Sequence, residues 1–459
     1  MRIGLLPLGR ATFDVAFAEE KLAGMLAVLD GLDHEFVGPR HLLMDAEGTD
    51  AALADLQGRI DRLLVLQVTF TDASAVLAAA DLDVPLAIWA VPEPRLGGRL
   101  RLNAFCGLNL AVHALGRRER NVGWLYADPG GGAAGGAAKG AAGGVALLLR
   151  GERDNAALPV REAEAGERGR AVAAAMQGKR IGRLGAHPDG FETCRYEPDA
   201  IRSLAGISVE DMPLDRLFET AASQDAADAR REAERDVADL DAVDAEQLER
   251  SLRLRPALQT IQEEGGFDAF AIRCWPETFT QYGGAVCAPV AQMGERRVPC
   301  ACEADVYGAL TQLVLQEVAD APVFLVDLVD IDADDDTAVV WHCGQAPVSM
   351  AAPGARAATV HTNRKQPLLY EFALREGPVT FMRVSQAWNE PCMVLFEGTM
   401  LARDMAFTGT SGVFRPQGGD LARFLMDGAV EHHVALAYGS HRAALREVAG
   451  AMGLPVMEL

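Results

Sequence analysis

Short apolar runs alternate with longer segments of helical period through the first third of the chain. "RIGLLPLG" (2–9) reads as a strand, and "DVAFAEEKLAGMLAVLDGL" (14–32) has the helical period with a glycine stop, predicting a helix. "RLLVLQVTFTDAS" (62–74), "DVPLAIWAVPEP" (83–94) and "NVGWLYADP" (121–129) predict further strands that end in polar or proline-containing turns. Continuous apolar strands separated by helices imply a parallel sheet covered on both faces.

The pattern then starts again. "RIGRLGAHPDGFE" (181 onward, within 179–207) echoes the opening "RIGLLPLGRATFD", which predicts two doubly wound α/β units in series. The charged stretch 225–253 predicts one long helix with a solvated face, and "FDAFAIRCWPETF" (267–279) a strand and its loop. From about residue 345 the strands shorten: "GPVTFMRVSQ" (377–386) and "PCMVLFEGTMLA" (391–402) are bounded by Gly and Pro with no long helix between them. That change of period predicts an antiparallel β unit, closed by a strand (432–439) and a helix (440–453). The expected organisation is an N-terminal α/β domain (1–165), a second one carrying two metal ligands (166–343), and a C-terminal antiparallel β-barrel-like domain (344–459).

Composition narrows the function classes. The 459 residues are 49% hydrophobic, enough for more than one core, and carry a formal net charge of −22. Such an acidic balance argues against nucleic acid and anionic membranes and favours a small-molecule substrate. No stretch approaches the ~18 apolar residues of a membrane span, and the N-terminus has no signal-peptide pattern, which predicts a cytoplasmic protein. The eight cysteines form no CxxC pair, so the expectation is reduced, buried thiols rather than a zinc ribbon. The Gly/Ala-rich run 129–144 lacks the Gly-Lys-Ser/Thr of a phosphate loop, since Gly140 follows Lys139, and reads as a flexible surface loop.

Candidate chemistry gathers late in the chain. In "ACEADVYGALT" (301–311) a short strand delivers Glu303 and a helix follows, and "PVFLVD" (322–327) reads as a strand ending in Asp327. Ligand sites gather beyond the carboxyl ends of strands in open α/β sheets, so both acids are predicted on the same edge of one sheet. In "EHHVALAYG" (431–439) alternation lets at most one of His432 and His433 face a shared site. Two carboxylates and one histidine suit Mn²⁺ or Mg²⁺, and two carboxylates beside such an ion are what proton transfer next to a carbonyl requires. Each residue also has a structural explanation: Glu303 and Asp305 as first-turn acids of a helix, Asp327 as a turn cap, the histidines as strand-end residues.

These runs, together with "VVWHCG" (339–344) and "IRCWPETF" (272–279), resemble the L-fucose isomerase family, which is related to L-arabinose isomerase. The resemblance implies Glu303, Asp327 and His433 as ligands of Mn²⁺, or of another divalent ion such as Mg²⁺ or Co²⁺. It implies an aldose–ketose isomerisation through a cis-enediol, with Glu303 and Asp327 moving the proton between C1 and C2. His342, Trp275 and Glu277 are expected in contact with the sugar, and Asp305 at the helix start. A homotrimer or hexamer is implied, with a neighbouring subunit's first domain completing the pocket and "RLNAFCGLNLAVHAL" (101–115) as the segment to bear that contact. Arg296, Arg297, Arg364, Lys365, Arg383 and Arg415 add the possibility of an anionic sugar, sulfonated or phosphorylated, beside a neutral deoxy sugar or pentose. The competing class is a non-catalytic sugar-binding or regulatory protein on the same fold, which would not need Glu303, Asp327 and His433 together.

Overall fold

Five apolar strands, β1 (Arg2–Leu8), β2 (Glu35–Val37), β3 (Arg62–Gln67), β4 (Leu86–Ala90) and β5 (Gly123–Tyr126), pair in parallel in the order β2-β1-β3-β4-β5. The computed structural model describes residues 1–130 and 140–459, so the expected loop at 129–144 falls largely outside the described residues. A helix, Gly140–Leu149, follows. β1, β3, β4 and β5 are almost wholly buried, as two-sided helical cover requires.

A second parallel sheet contains β6 (Arg180–Leu184), β7 (Ser208–Met212), β8 (Ala269–Ile272) and β9 (Cys300–Ala301), in the order β7-β6-β8-β9. Both sheets thus start on a central strand, move outward on one side, and return to the other, which is the doubly wound echo seen in the two "RIG" runs. The predicted long charged helix is broken. It becomes Ala227–Asp236 and Ala245–Gly265, because Asp239 takes a positive φ and the Asp244 side chain caps the second helix at Gln247 N.

The remaining strands, β10 (Phe324–Asp332), β11 (Thr337–His342), β12 (Ala357–Thr359), β13 (Leu369–Ala373), β14 (Gly377–Ser385), β15 (Cys392–Met400), β16 (Thr410–Pro416), β17 (His433–Tyr438) and β18 (Val456–Glu458), form one mixed sheet. The pairings run β16–β11–β10–β17–β14–β15 and return from β15 to β16 through Gly398, Thr399 and Met400. Two sequence expectations change here. Asp327 does not end its strand: β10 continues to Asp332 and pairs on both edges within this mixed sheet. Glu303 and Asp327 therefore come from different sheets, not from one edge, and the expected boundary at 343/344 falls after two strands of the C-terminal sheet. Runs of buried residues look alike in both kinds of sheet, so periodicity alone does not assign β10 to either.

The helix Val306–Ala319 packs on β6, β8 and β9 on one side and on β14 and β17 on the other. Its burial almost all round, from Val306 through Leu315, follows from that position between two sheets.

Candidate active site

Cross-strand register fixes one half of the site. β10 and β17 run antiparallel with Asp327 directly opposite His433, which brings their side chains onto the same face. Glu303 arrives from the other side, two residues past the end of β9, in a left-handed conformation (φ 59°, ψ 24°), with Ala304 also at positive φ. Left-handed backbone at non-glycine residues costs on the order of 1–2 kcal/mol each, and is held where surrounding contacts over-determine it.

His433 Nε2 lies 3.3 Å from Glu303 Oε2 and 3.3 Å from Asp327 Oδ1. These three atoms and His342 Nε2 are buried and have no hydrogen-bond partner among the described residues. Four such atoms are costly unless a cation or a polar ligand engages them. The donor set, two carboxylates and imidazole nitrogen, fits a hard divalent ion. Burial, reinforced by the Glu303 charge against the opposing pull of His433, pushes the Asp327 carboxyl up to about 7. Burial works against charge on His433, but its hydrogen bond to Asp305 and the Glu303 and Asp327 carboxylates hold it well above the ordinary imidazole value. His342 and His432 are pushed down by burial.

Asp305 does start the helix, accepting from Gly308 N at 2.8 Å. It also does what sequence reading did not anticipate. His433 Nδ1 lies 2.9 Å from its Oδ2, and the fully buried Arg383 donates to Oδ2 at 2.5 Å and Oδ1 at 3.1 Å. Burial alone would raise Asp305, yet Arg383 and His433 hold it well below the usual carboxylate range. Such a carboxylate behind a ligating histidine fixes the ring and its tautomer.

Other predicted residues divide. Trp275 donates from Nε1 to Glu303 Oε1 at 2.8 Å and lines the pocket with His342, Arg10, Phe70, Asn103 and Arg364. Glu277 lies off the pocket wall, since Arg273 Nε, four residues earlier, holds its carboxylate at 2.7 Å. Of the two histidines His432 lines the pocket, its ring centroid 4.3 Å from that of His433, which meets Glu303 and Asp327 behind it. Arg296, Arg297 and Arg415 face Glu232, Asp320 and Asp336, whereas Arg364 pairs with no carboxylate among the described residues. Arg10 and Arg364 set their guanidinium carbons 5.7 Å and 5.6 Å from the Trp275 ring centroid. Arg10 was legible in principle, as it lies just past the carboxyl end of β1.

The chain's own first unit contributes Arg10, Phe13, Phe70 and Asn103 to the pocket wall. The segment expected to meet that neighbour forms the helix Ala104–Gly116, buried along its whole length against β10 and β4 of the same chain. One pair of cysteines also departs from the reduced state expected for all eight: Cys274 and Cys302 are joined, Cα atoms 5.8 Å apart. They follow adjacent strands β8 and β9, which brings residues 28 apart in sequence to bonding distance.

Residues 4–140 match the model of the fucose/sulfoquinovose isomerase N-terminal domain. Over its length the chain is 29% identical to the sulfoquinovose isomerase of Priestia aryabhattai, covering 98% of this chain and 97% of that protein. It is 29% identical to the sulfoquinovose isomerase of Alkalicoccus urumqiensis (99% and 98% covered) and 27% to that of Clostridium sp. strain MSTE9 (99% and 98%). Matches of this extent set aside the non-catalytic alternative: the chain is an isomerase, similar along its length to the sulfoquinovose isomerases and, in residues 4–140, to the fucose/sulfoquinovose isomerase N-terminal domain.

Proposed function

We propose that the protein is a metal-dependent aldose–ketose isomerase acting on a sulfonated hexose, the substrate class named by its relatives. The observation that carries the reading is the convergence of Glu303 Oε2, Asp327 Oδ1 and His433 Nε2, each buried and without a hydrogen-bond partner among the described residues, at the pocket edge that Glu303 and Asp327 line. These three residues would hold Mn²⁺ or a similar divalent ion, which when bound supplies Lewis acidity at the sugar oxygens. Asp327, which stands beside Glu303 and His433, accepts and returns the proton in this reading. Glu303 is its counterpart across the C1–C2 bond, aimed by the Trp275 indole. Together they move the proton by way of a cis-enediol, while Phe70, Trp275 and the buried walls limit water.

The anionic end of the sugar is the business of Arg10 and Arg364. Both stand beside the Trp275 ring, whose indole nitrogen reaches Glu303; Arg10 is also paired with Asp72 at 3.0 Å, whereas Arg364 has no carboxylate partner among the described residues. We read the returning ring of pairings in the last sheet as the barrel-like unit expected from sequence, holding Asp327 and His433 on rigid strands, and the assembly as a homo-oligomer. Turnover assays test the reading. Activity should vanish on chelation and return with Mn²⁺, and Glu303→Gln should lower kcat by about 10²–10⁴. Arg364→Met should raise KM for a 6-sulfonated aldose far more than for its 6-deoxy analogue. Full activity after chelation, or equal KM effects on both sugars, would refute the metal or the sulfonate part respectively.

A further inference from the structure

His342 and His433 both border the carboxylates, yet their inner nitrogens are occupied in opposite senses. His433 Nδ1 meets Asp305 Oδ2 at 2.9 Å, and an ionised carboxylate only accepts, so this nitrogen carries the hydrogen. Its Nε2 is then the atom that offers a lone pair to a cation. At His342 the arrangement is reversed. The backbone N–H of Cys343 points at Nδ1 from 2.9 Å, and a peptide nitrogen cannot accept. Gln345 Nε2 stands 2.7 Å from the same atom and donates as well. Nδ1 therefore holds the lone pair, and the single ring hydrogen sits on Nε2. That Nε2 is buried and has no partner among the described residues. Its ring lines the pocket, and Asp327, His342 and His433 offer polar atoms all within 4.8 Å of one another.

Building on the isomerase reading above, we propose that His342 is a catalytic hydrogen-bond donor and not a cation ligand: its Nε2–H binds the sugar oxygen on which negative charge grows as the neighbouring carbon loses its proton. No covalent bond to the ring forms or breaks, and the proton stays on Nε2 throughout. A donor fixed in advance in a water-poor wall stabilises that charge without reorganising. Gln345 and the Cys343 amide are the positioning groups that impose the tautomer.

The test separates cation binding from chemistry. Mn²⁺ affinity, read by the electron paramagnetic resonance of free Mn²⁺, is compared with steady-state kinetics in His342→Leu, His342→Gln and His433→Leu. Expected for His342→Leu are unchanged Mn²⁺ affinity and a kcat lowered about 10²–10³-fold, the usual loss on removing one such donor. His342→Gln, whose amide places N–H near the lost Nε2, should restore much of that loss. His433→Leu alone should lose Mn²⁺. Should His342→Leu lose Mn²⁺ as His433→Leu does, His342 is a ligand and the proposal falls, while the metal-dependent isomerase reading stands. Equal kcat in the Leu and Gln variants also overturns it. A wild-type protein that neither binds Mn²⁺ nor isomerises would instead sink the isomerase reading itself. Nitrogen-15 spectra of the histidine rings in the wild-type Mg²⁺ form read the tautomer without any substitution: a hydrogen on Nε2 of His342 is expected, and one on Nδ1 refutes the assignment.

Discussion

Two positions separate Glu303 from Asp305, and their surroundings differ completely. Glu303 presents an oxygen to the pocket and Asp305 turns back to cap a helix, grip Arg383 and hold His433. The helix-start role of Asp305 was legible, since a short acid before an apolar helical run has a local cause. Its partner was not: Arg383 lies 78 residues away, and no local pattern marks which arginine is buried. The residue-scale consequence is a pH dependence of ion binding. Without a cation, His433 is held above the ordinary imidazole value and Asp327 at about 7, so both carry protons in the slightly acidic range. A divalent ion held by these residues as proposed would displace those protons, so Mn²⁺ affinity should rise from about pH 6 to pH 8. Titration calorimetry in buffers of different ionisation enthalpy should show proton release on binding. Affinity flat across this range, with no proton release, would place the ion away from these residues.

Among the elements, segments whose period is local were legible: the helix Val15–Asp30, the β14–β15 hairpin, β17 and the closing helix Arg442–Ala451. What sequence could not reveal was sheet membership, because β9 and β10 look alike as apolar runs while belonging to different sheets. The helix between them makes the junction, and Arg383 on β14 locks its first turn through Asp305. Arg383→Met leaves the buried Asp305 carboxylate with His433 as its one remaining cationic partner among the described residues and should destabilise the protein by about 3–5 kcal/mol in urea unfolding. Adding Asp305→Asn to Arg383→Met, which keeps a capping side chain but removes the stranded charge, should recover part of that loss. The sign with pH is definite. Asp305 is depressed in the folded protein, so its contribution is present above the unfolded carboxyl value of about 3.9 and fades as pH falls through the lower folded value. The stability gap between wild type and Arg383→Met should therefore narrow in strong acid, and a gap that widens there would contradict the pair.

At the scale of the molecule, the repeated "RIG" openings announced two similar α/β units, but nothing in the sequence announced how the first one docks. Asp330 on β10 makes that joint: Arg95 Nε reaches its Oδ2 at 2.5 Å and the Tyr126 hydroxyl its Oδ1 at 2.5 Å, across 235 and 204 residues of chain. Asp330 and Tyr126 are nearly inaccessible to water, while Arg95 is also bonded to Thr337 Oγ1 and O. Asp330→Ala strands the buried Tyr126 hydroxyl and removes the only carboxylate paired with Arg95 among the described residues, and should loosen the first unit before the rest of the molecule. Hydrogen exchange should then accelerate in β1 to β5 while β6 to β9 keep their protection. Because Arg10 and Asn103 ride on the loosened unit while Glu303 and Asp327 do not, KM should rise more than kcat falls. Uniform acceleration over all three sheets, or a kcat loss with KM unchanged, would show that Asp330 serves overall stability or the chemistry itself and not the docking of the pocket wall.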